Sequence, residues 1–187
     1  MPDLKISACI PTRGDVDMRP IVDHLRQYPE IDEVMICVSD TPHTRYRLAV
    51  AARNEVVYTQ DDDCLTDLRP LIDEWARCPR EMAFVNAMTT AHAAHYPGMQ
   101  TLVGFGSIFL RQLAVRFIED QRWEHDELFY READRIFATI HPHFSVFPKI
   151  EILPYASAPN RYWKQPEHHA TRAAMERRIF ERTGIRP

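Results

Sequence analysis

Three consecutive carboxylates, Asp61-Asp62-Asp63, are the residues of this sequence best suited to chemistry. Adjacent carboxylates repel one another, so clustering them is costly unless a cation compensates. Hard oxygen ligands in this arrangement suit Mg²⁺ or Mn²⁺, above all when phosphate oxygens complete the shell. In an extended segment Asp61 and Asp63 point to one side and Asp62 to the other. The competing reading is a solvated acidic turn ahead of a helix, with Thr66 or Asp67 as its N-cap. Val103-Gly104-Phe105-Gly106-Ser107 holds two of only five glycines. Glycines there let backbone approach a sugar or diphosphate closely, and a helix starting after Ser107 would present free N–H groups. A second acidic stretch runs from Asp126 to Asp134, where a first-turn carboxylate also complements a helix dipole. Nine histidines include His168 and His169; His92 and His95, at i and i+3, can share a helical face but lack nearby carboxylates and are assigned no role.

The elements that must position these groups alternate. Leu4–Ile10 reads as a buried strand stopped by Pro11 and a Thr12-Arg13-Gly14-Asp15 turn. Pro20–Tyr28 offers a short helical face, Glu33–Val38 a second strand, Arg45–Arg53 a short helix and Val56–Thr59 a third strand running into the acidic triplet. Asp67–Arg77 carries Leu68, Leu71, Ile72 and Trp75 at i, i+3, i+4 and i+7, a core-facing helical stripe. Met82–Met88 is a fourth strand. This alternation predicts an α/β fold with a largely parallel sheet, whose ligands bind beyond the carboxyl ends of the strands. The second half is less regular. Gln100–Val103 reads as a strand, Ser107–Phe117 and Glu132–Ile140 as helices, Val146–Leu153 as a strand broken by Pro148. Glu167–Arg182 reads as a basic helix packing through Ala170, Ala173, Ala174 and Ile179, with Arg172, Arg177, Arg178 and Arg182 as its solvated face or, alternatively, touching an anionic acceptor.

Length and composition agree with one globular unit: 187 residues, 45% hydrophobic and 27% charged. No repeat or composition shift divides the chain, so the expectation is a single domain over 1–187, with 141–187 as C-terminal strand, flap and basic helix. A net charge of −4 excludes a generally basic nucleic-acid binder. The four cysteines form no CxxC, which argues against zinc knuckles and for reduced, buried thiols. The longest nearly apolar stretch, Leu102–Leu110, is far short of the ~20 residues of a membrane span, and no signal pattern opens the chain. A soluble, cytoplasmic protein is expected.

IPTRGD after the first strand, VSD after the second, RNEVVYTQDDDC at the third and VGFGSIFLRQ beyond stand in a definite order. From about Ile6 to about Ile140 that order resembles the nucleotide-sugar-dependent glycosyltransferases of the GT-A fold (family 2-like or exostosin-like small enzymes). The resemblance implies a GT-A-like, Rossmann-like domain with a mostly parallel central sheet flanked by helices. It implies that Pro11, Thr12, Arg13 and Asp15 lie along base and ribose, that Asp40 accepts from the base edge, and that Arg45 and Arg53 meet ribose or phosphate. On short helices such arginines are otherwise simply solvated. It further implies that Asp61, Asp62, Gly104, Gly106 and Ser107 adjoin the nucleotide-sugar, and that Asp61 and Asp63 hold manganese or magnesium. His168 or His169 would be an extra ligand, carried by a flap containing Tyr162 and Trp163. Asp134 is the implied general base of an inverting enzyme, with Glu132 and Asp126 as alternatives; Ala133 stands where the family usually has an acidic residue.

The expectation is therefore a Mn²⁺- or Mg²⁺-dependent hexosyl- or pentosyltransferase, with a UDP-sugar as default donor. Its acceptor is a hydroxyl compound, a small glycoside or a macromolecule, nucleic acid included. Stereochemistry and oligomeric state stay open. Two rivals remain: a catalytically silent nucleotide- or glycan-binding relative, and a nucleotidyltransferase, which the single glycine of IPTRGD disfavours.

Overall fold

The computed structural model describes residues 4–78, 83–95, 101–154, 161 and 164–186. A central sheet is built from β1 (Ile6–Thr12), β2 (Ile31–Val38), β3 (Val56–Thr59), β5 (Phe84–Ala87), β6 (Ser107–Leu110) and β7 (His143–Val146) in the order β2-β1-β3-β6-β5-β7. β1 pairs in parallel with β2 and β3, and β5 with β7; β6 runs antiparallel between β3 and β5. Five of the six strands thus point one way, the mostly parallel sheet that the alternating pattern predicts. β4 (Cys64–Thr66) and β8 (Ile150–Ile152) form a separate antiparallel pair beside the acidic triplet.

Both faces of the sheet are covered, which is why β1 is buried along its whole length. On one face α1 (Arg19–Leu25) and α3 (Arg69–Trp75) pack Ile21, Leu25, Leu71, Ile72 and Trp75 against Ile6, Ala8, Ile10 and Tyr58. On the other, α2 (Thr44–Ala51), α5 (Arg111–Glu119), α7 (Ala133–Ile140) and α8 (His168–Thr183) enclose an aromatic core. Phe137 sits there with ring centroids 4.7–5.6 Å from Tyr46, Phe84, Phe109 and Phe117. Burying each such ring contributes about 1.5–3 kcal/mol. The helices following β1 and β2 therefore lie on opposite faces. The chain order reverses between β1 and β3, and a crevice opens beyond their carboxyl ends.

Several sequence expectations are corrected. Ser107–Phe117 is not one helix: Ser107–Leu110 extends to pair with β3 and β5, and the helix begins only at Arg111. Thr101–Val103 forms no strand, and Gln100 lies outside the described residues. Val146–Leu153 divides into the end of β7 and β8, because Pro148 cannot donate to a ladder. α8 packs through His168, Met175 and Ile179, leaving Ala170 and Ala173 exposed. Cys9, Cys64 and Cys78 are buried, but Cys37 on edge strand β2 is only half-buried. α4 (Thr90–His95) covers the stretch in which His92 and His95 can share a helical face, whereas short α6 (Glu127–Arg131), like β4, has no counterpart in the sequence reading. Tyr162 and Trp163 fall outside the described residues. No helix among those described is long and apolar enough to cross a membrane.

Two histidines, His43 buried and His141 half-buried, give the fold a pH signature. Burial pushes His43 down to about 4, helped by His125 and Arg47, and pushes His141 down to about 4, helped by Arg116 and Arg122. His43 is packed against Phe129 and Tyr130 at 5.3 and 4.9 Å. The unfolded chain takes up these protons near pH 6.5 and the native one only near 4, so stability is lost as pH falls through that window. Urea denaturation of His43→Phe should show about 1–2 kcal/mol less acid destabilisation between pH 6.5 and 5 than the parent. Equal slopes for the two proteins would contradict His43 being held neutral.

Candidate active site

A cleft of about 770 Å³ opens at the carboxyl ends of β1, β2 and β3, within the size range of ligand sites. Pro11, Thr12 and Arg13 line it from the end of β1, Asp40 from the turn after β2, and Asp61, Asp62 and Asp63 from the turn after β3. Gly104 lines it from the loop before β6, and Glu132 and Asp134 from the start of α7. Residues far apart in sequence thus meet because the strands that end there are neighbours.

The acidic triplet is compensated by arginines. Asp62, 3% exposed, accepts from Thr12 Oγ1 at 2.7 Å, from the Arg13 backbone N–H at 3.3 Å and from Arg161 Nη1 at 2.6 Å. Both its oxygens are engaged within the protein, so it clamps the β1 loop and the Arg161 segment onto the β3 turn. Asp61 points the other way, nearly half exposed in the cleft, with one oxygen bonded by Arg45 Nη2. Asp63, more buried, lies 3.9 Å from Arg161. Burial and the charge of Asp61 push Asp63 up to about 6, against the pull of Arg161.

Arg45 is the residue that the solvated-helix reading misplaces most. It is 2% exposed, and its Nε lies 3.2 Å from Asp134 Oδ1 while Nη2 bonds Asp61. Burial works against the guanidinium charge, yet Asp134 and Asp61 hold it firmly protonated. Tyr46, next along α2, donates its hydroxyl to Asp134 Oδ1 at 2.9 Å. One turn of α2 thus joins the β3 carboxylate to the α7 carboxylate. Burial pushes Asp134 up to about 6; Arg45 pulls it back and Asp61 adds to the rise.

Two features hold the β3 turn in shape. The buried Gln60 receives the Tyr58 hydroxyl at 2.7 Å and donates to the carbonyls of Asp61 and Cys64 at 3.1 and 2.6 Å. The Asp61 N–H donates to the Gly104 carbonyl at 2.7 Å, and a Cβ at Gly104 would overlap the Asp61 carboxylate. Gly104→Ala should therefore displace Asp61 from Arg45 and lower stability by about 1–3 kcal/mol. Unchanged urea denaturation would refute that close approach.

Most of the other expected site residues lie outside the cleft lining. Arg53 is bound to Asp32 at the start of β2, at the opposite end of the sheet from the cleft. Asp15 pairs with Arg13 at 2.7 Å outside the lining. Gly106 (φ +130°) packs against Tyr58 beneath the loop, and Ser107, a strand residue, donates to the Val103 carbonyl at 3.3 Å, so no helix N-terminus faces a ligand there. Asp126 caps α6 through the Phe129 N–H and is forked by Arg178 at 2.8 and 2.9 Å, away from the cleft. Glu132 is buried in the lining beside Asp134.

His168 and His169 reach the rim, but burial and the charges of Arg172, His169 and Arg131 lower His168, an arginine-rich setting. Among the described residues no group of three His, Cys, Asp or Glu converges tightly enough to enclose a metal by itself. Asp61 and Asp63 nonetheless fit a hard divalent cation that draws its remaining ligands from phosphate and water. Both are oxygen donors on the lining, and burial together with the charge of Asp61 raises Asp63, a cost that a cation would offset. Arg161 and Tyr46 are the partners that sequence reasoning missed. Neither lies in a motif, and only the 88-residue separation of Tyr46 and Asp134, closed in space, reveals the contact.

No protein-family model and no curated protein matches the sequence. Solved structures similar to it include the following three. A197 from STIV is 12% identical over 80% of this chain and 85% of that one, with a TM-score of 0.54. Glucosyl-3-phosphoglycerate synthase from Mycobacterium tuberculosis, in complex with Mg²⁺ and uridine diphosphate, is 11% identical over 97% and 80%, at 0.48. TarS 1–349 from S. aureus, in complex with UDP-GlcNAc, is 12% identical over 94% and 66%, at 0.44. At these identities the likeness is one of fold alone: an α/β sheet, mostly parallel and flanked by helices.

Proposed function

We propose that the protein is a metal-dependent glycosyltransferase that moves a sugar from a nucleoside-diphosphate donor to a hydroxyl acceptor. The observation that carries this reading is the convergence, in one cleft at the carboxyl ends of β1–β3, of Thr12-Arg13, Asp40, the Asp61/Asp63 pair and the half-buried base candidate Asp134. Pro11, Thr12, Arg13 and Asp40 take the nucleoside. Asp61 and Asp63 hold Mn²⁺ or Mg²⁺, which neutralises charge on the leaving diphosphate when bound.

Asp134 removes the acceptor's proton. The acceptor oxygen then bonds to the anomeric carbon as the bond from that carbon to the diphosphate oxygen breaks, and the nucleoside diphosphate departs with the electron pair. Arg45 and Tyr46 keep the Asp134 carboxylate in place. The donor in this proposal is a UDP-sugar.

The reading is tested by incubating the protein with UDP-, GDP-, CDP- and dTDP-sugars, Mn²⁺ and a panel of hydroxyl acceptors and following acceptor-dependent nucleoside diphosphate release. Release from one donor class, abolished in Asp63→Ala, is expected. Nucleotide binding without turnover, across donors and acceptors, would instead mark a silent binder.

A further inference from the structure

The metal-dependent reading above, on which this step rests, needs Asp61 free to meet a cation, yet that carboxylate already has one. Arg45 Nη2 bonds Asp61 Oδ1, while Arg45 Nε lies 3.2 Å from Asp134 Oδ1 and 3.4 Å from the Pro42 carbonyl oxygen. Nη1 of the same guanidinium is buried and has no hydrogen-bond partner among the described residues, although the side chain lines the cleft. A guanidinium with one nitrogen unmatched is held by charge more than by a completed set of hydrogen bonds.

The two carboxylates keep their places by other means. The Asp61 N–H donates to the Gly104 carbonyl, and Gly104 leaves room for the Asp61 carboxylate where a Cβ would not. Asp134 receives the Tyr46 hydroxyl. Asp61 is the carboxylate of the triplet that opens to the cleft, whereas Asp62 is closed off by Thr12 and Arg161. Arg45 is the long, many-jointed member of this set, so its fork can leave Asp61 and keep Asp134.

We propose that Arg45 is a displaceable counter-ion: guanidinium and divalent cation are alternative occupants of Asp61, and metal loading shifts Arg45 onto Asp134 alone. A metal entering while Arg45 stays would meet a positive charge at contact range, which weakens binding about tenfold even in wet surroundings. Mn²⁺ is titrated without nucleotide, with free ion followed by electron paramagnetic resonance, into the parent, Arg45→Gln and Arg45→Lys. Arg45→Gln should bind about tenfold more tightly than the parent, Arg45→Lys should stay near the parent, and Asp61→Ala/Arg45→Gln should lose the gain. Mn²⁺ should also raise the melting temperature of Arg45→Gln more than that of the parent, because it replaces the missing charge. Should Arg45→Gln not fold, Asp134→Asn is compared with Arg45→Gln/Asp134→Asn, in which one fewer carboxylate is left uncompensated. Equal or weaker Mn²⁺ binding on removal of Arg45 would overturn the proposal. If Asp61→Ala/Asp63→Ala still abolishes metal-dependent nucleotide binding in that case, the reading above stands without it. Mn²⁺ bound by none of these proteins, with or without a nucleoside diphosphate, would fail the metal reading itself and this proposal with it.

Discussion

Arg45→Met is expected to lower the unfolding free energy by about 3 kcal/mol, the lower end of the cost of breaking a buried ion pair. The reason lies in what the substitution leaves behind. Asp61 and Asp134 would keep their charges in the cleft with their shared cation gone, and among the described residues Asp134 would retain only the Tyr46 hydroxyl as a donor. The lower end applies because both carboxylates retain some contact with water. For a chain of 187 residues this corresponds to a fall of about 6–12 °C in melting temperature. The double variant Arg45→Met/Asp134→Asn should recover part of the loss, because one uncompensated charge disappears. A single variant that melts within 1 °C of the parent would show that Arg45 does not compensate these carboxylates.

Asp134→Asn is expected to reduce sugar transfer by about 10²–10⁴-fold while leaving nucleotide affinity unchanged. The amide oxygen can still accept from Tyr46, and Arg45 keeps Asp61, so the cleft survives and only the base is removed. The pH profile supplies an independent check. Asp134, pushed up to about 6 by burial, is charged and able to accept a proton above that value, so transfer should fall as pH drops through 6. An Asn variant with parental turnover, or a rate indifferent to pH between 7 and 5, would remove Asp134 from the chemistry.

Much of the fold is legible in the sequence because its signals are local. The Leu68, Leu71, Ile72, Trp75 stripe is buried as its spacing requires, and β3 ends where the acidic run begins. Ser107–Leu110 misleads for a physical reason. SIFL is a short apolar run directly abutting a genuine helix, and periodicity cannot tell a buried strand from a first helical turn. The site is legible only in part. Asp61 and Gly104 stand out by residue type, and their contact across the β3–β6 edge explains the glycine. Compensation of the triplet does not stand out. The sequence argument looks to a metal for the balancing charge, whereas Arg45 and Arg161 supply part of it from residues 16 and 99 positions away. Asp126 and Arg53 show the converse. A carboxylate at a helix start and an arginine after a helix have ordinary structural uses, capping α6 and bracing β2, and those uses account for them.

The central claim is that the cleft at the ends of β1–β3 binds a nucleoside diphosphate through Asp61 and Asp63 with a divalent cation. Calorimetric titration with UDP, GDP, CDP and dTDP, each with and without Mn²⁺, on the parent and on Asp61→Ala/Asp63→Ala, tests it most directly. One diphosphate that binds only with metal, and is lost in the double variant, is the predicted result. Equal binding by parent and double variant, or none of the four bound, would contradict it and leave the acidic triplet a turn balanced by its own arginines.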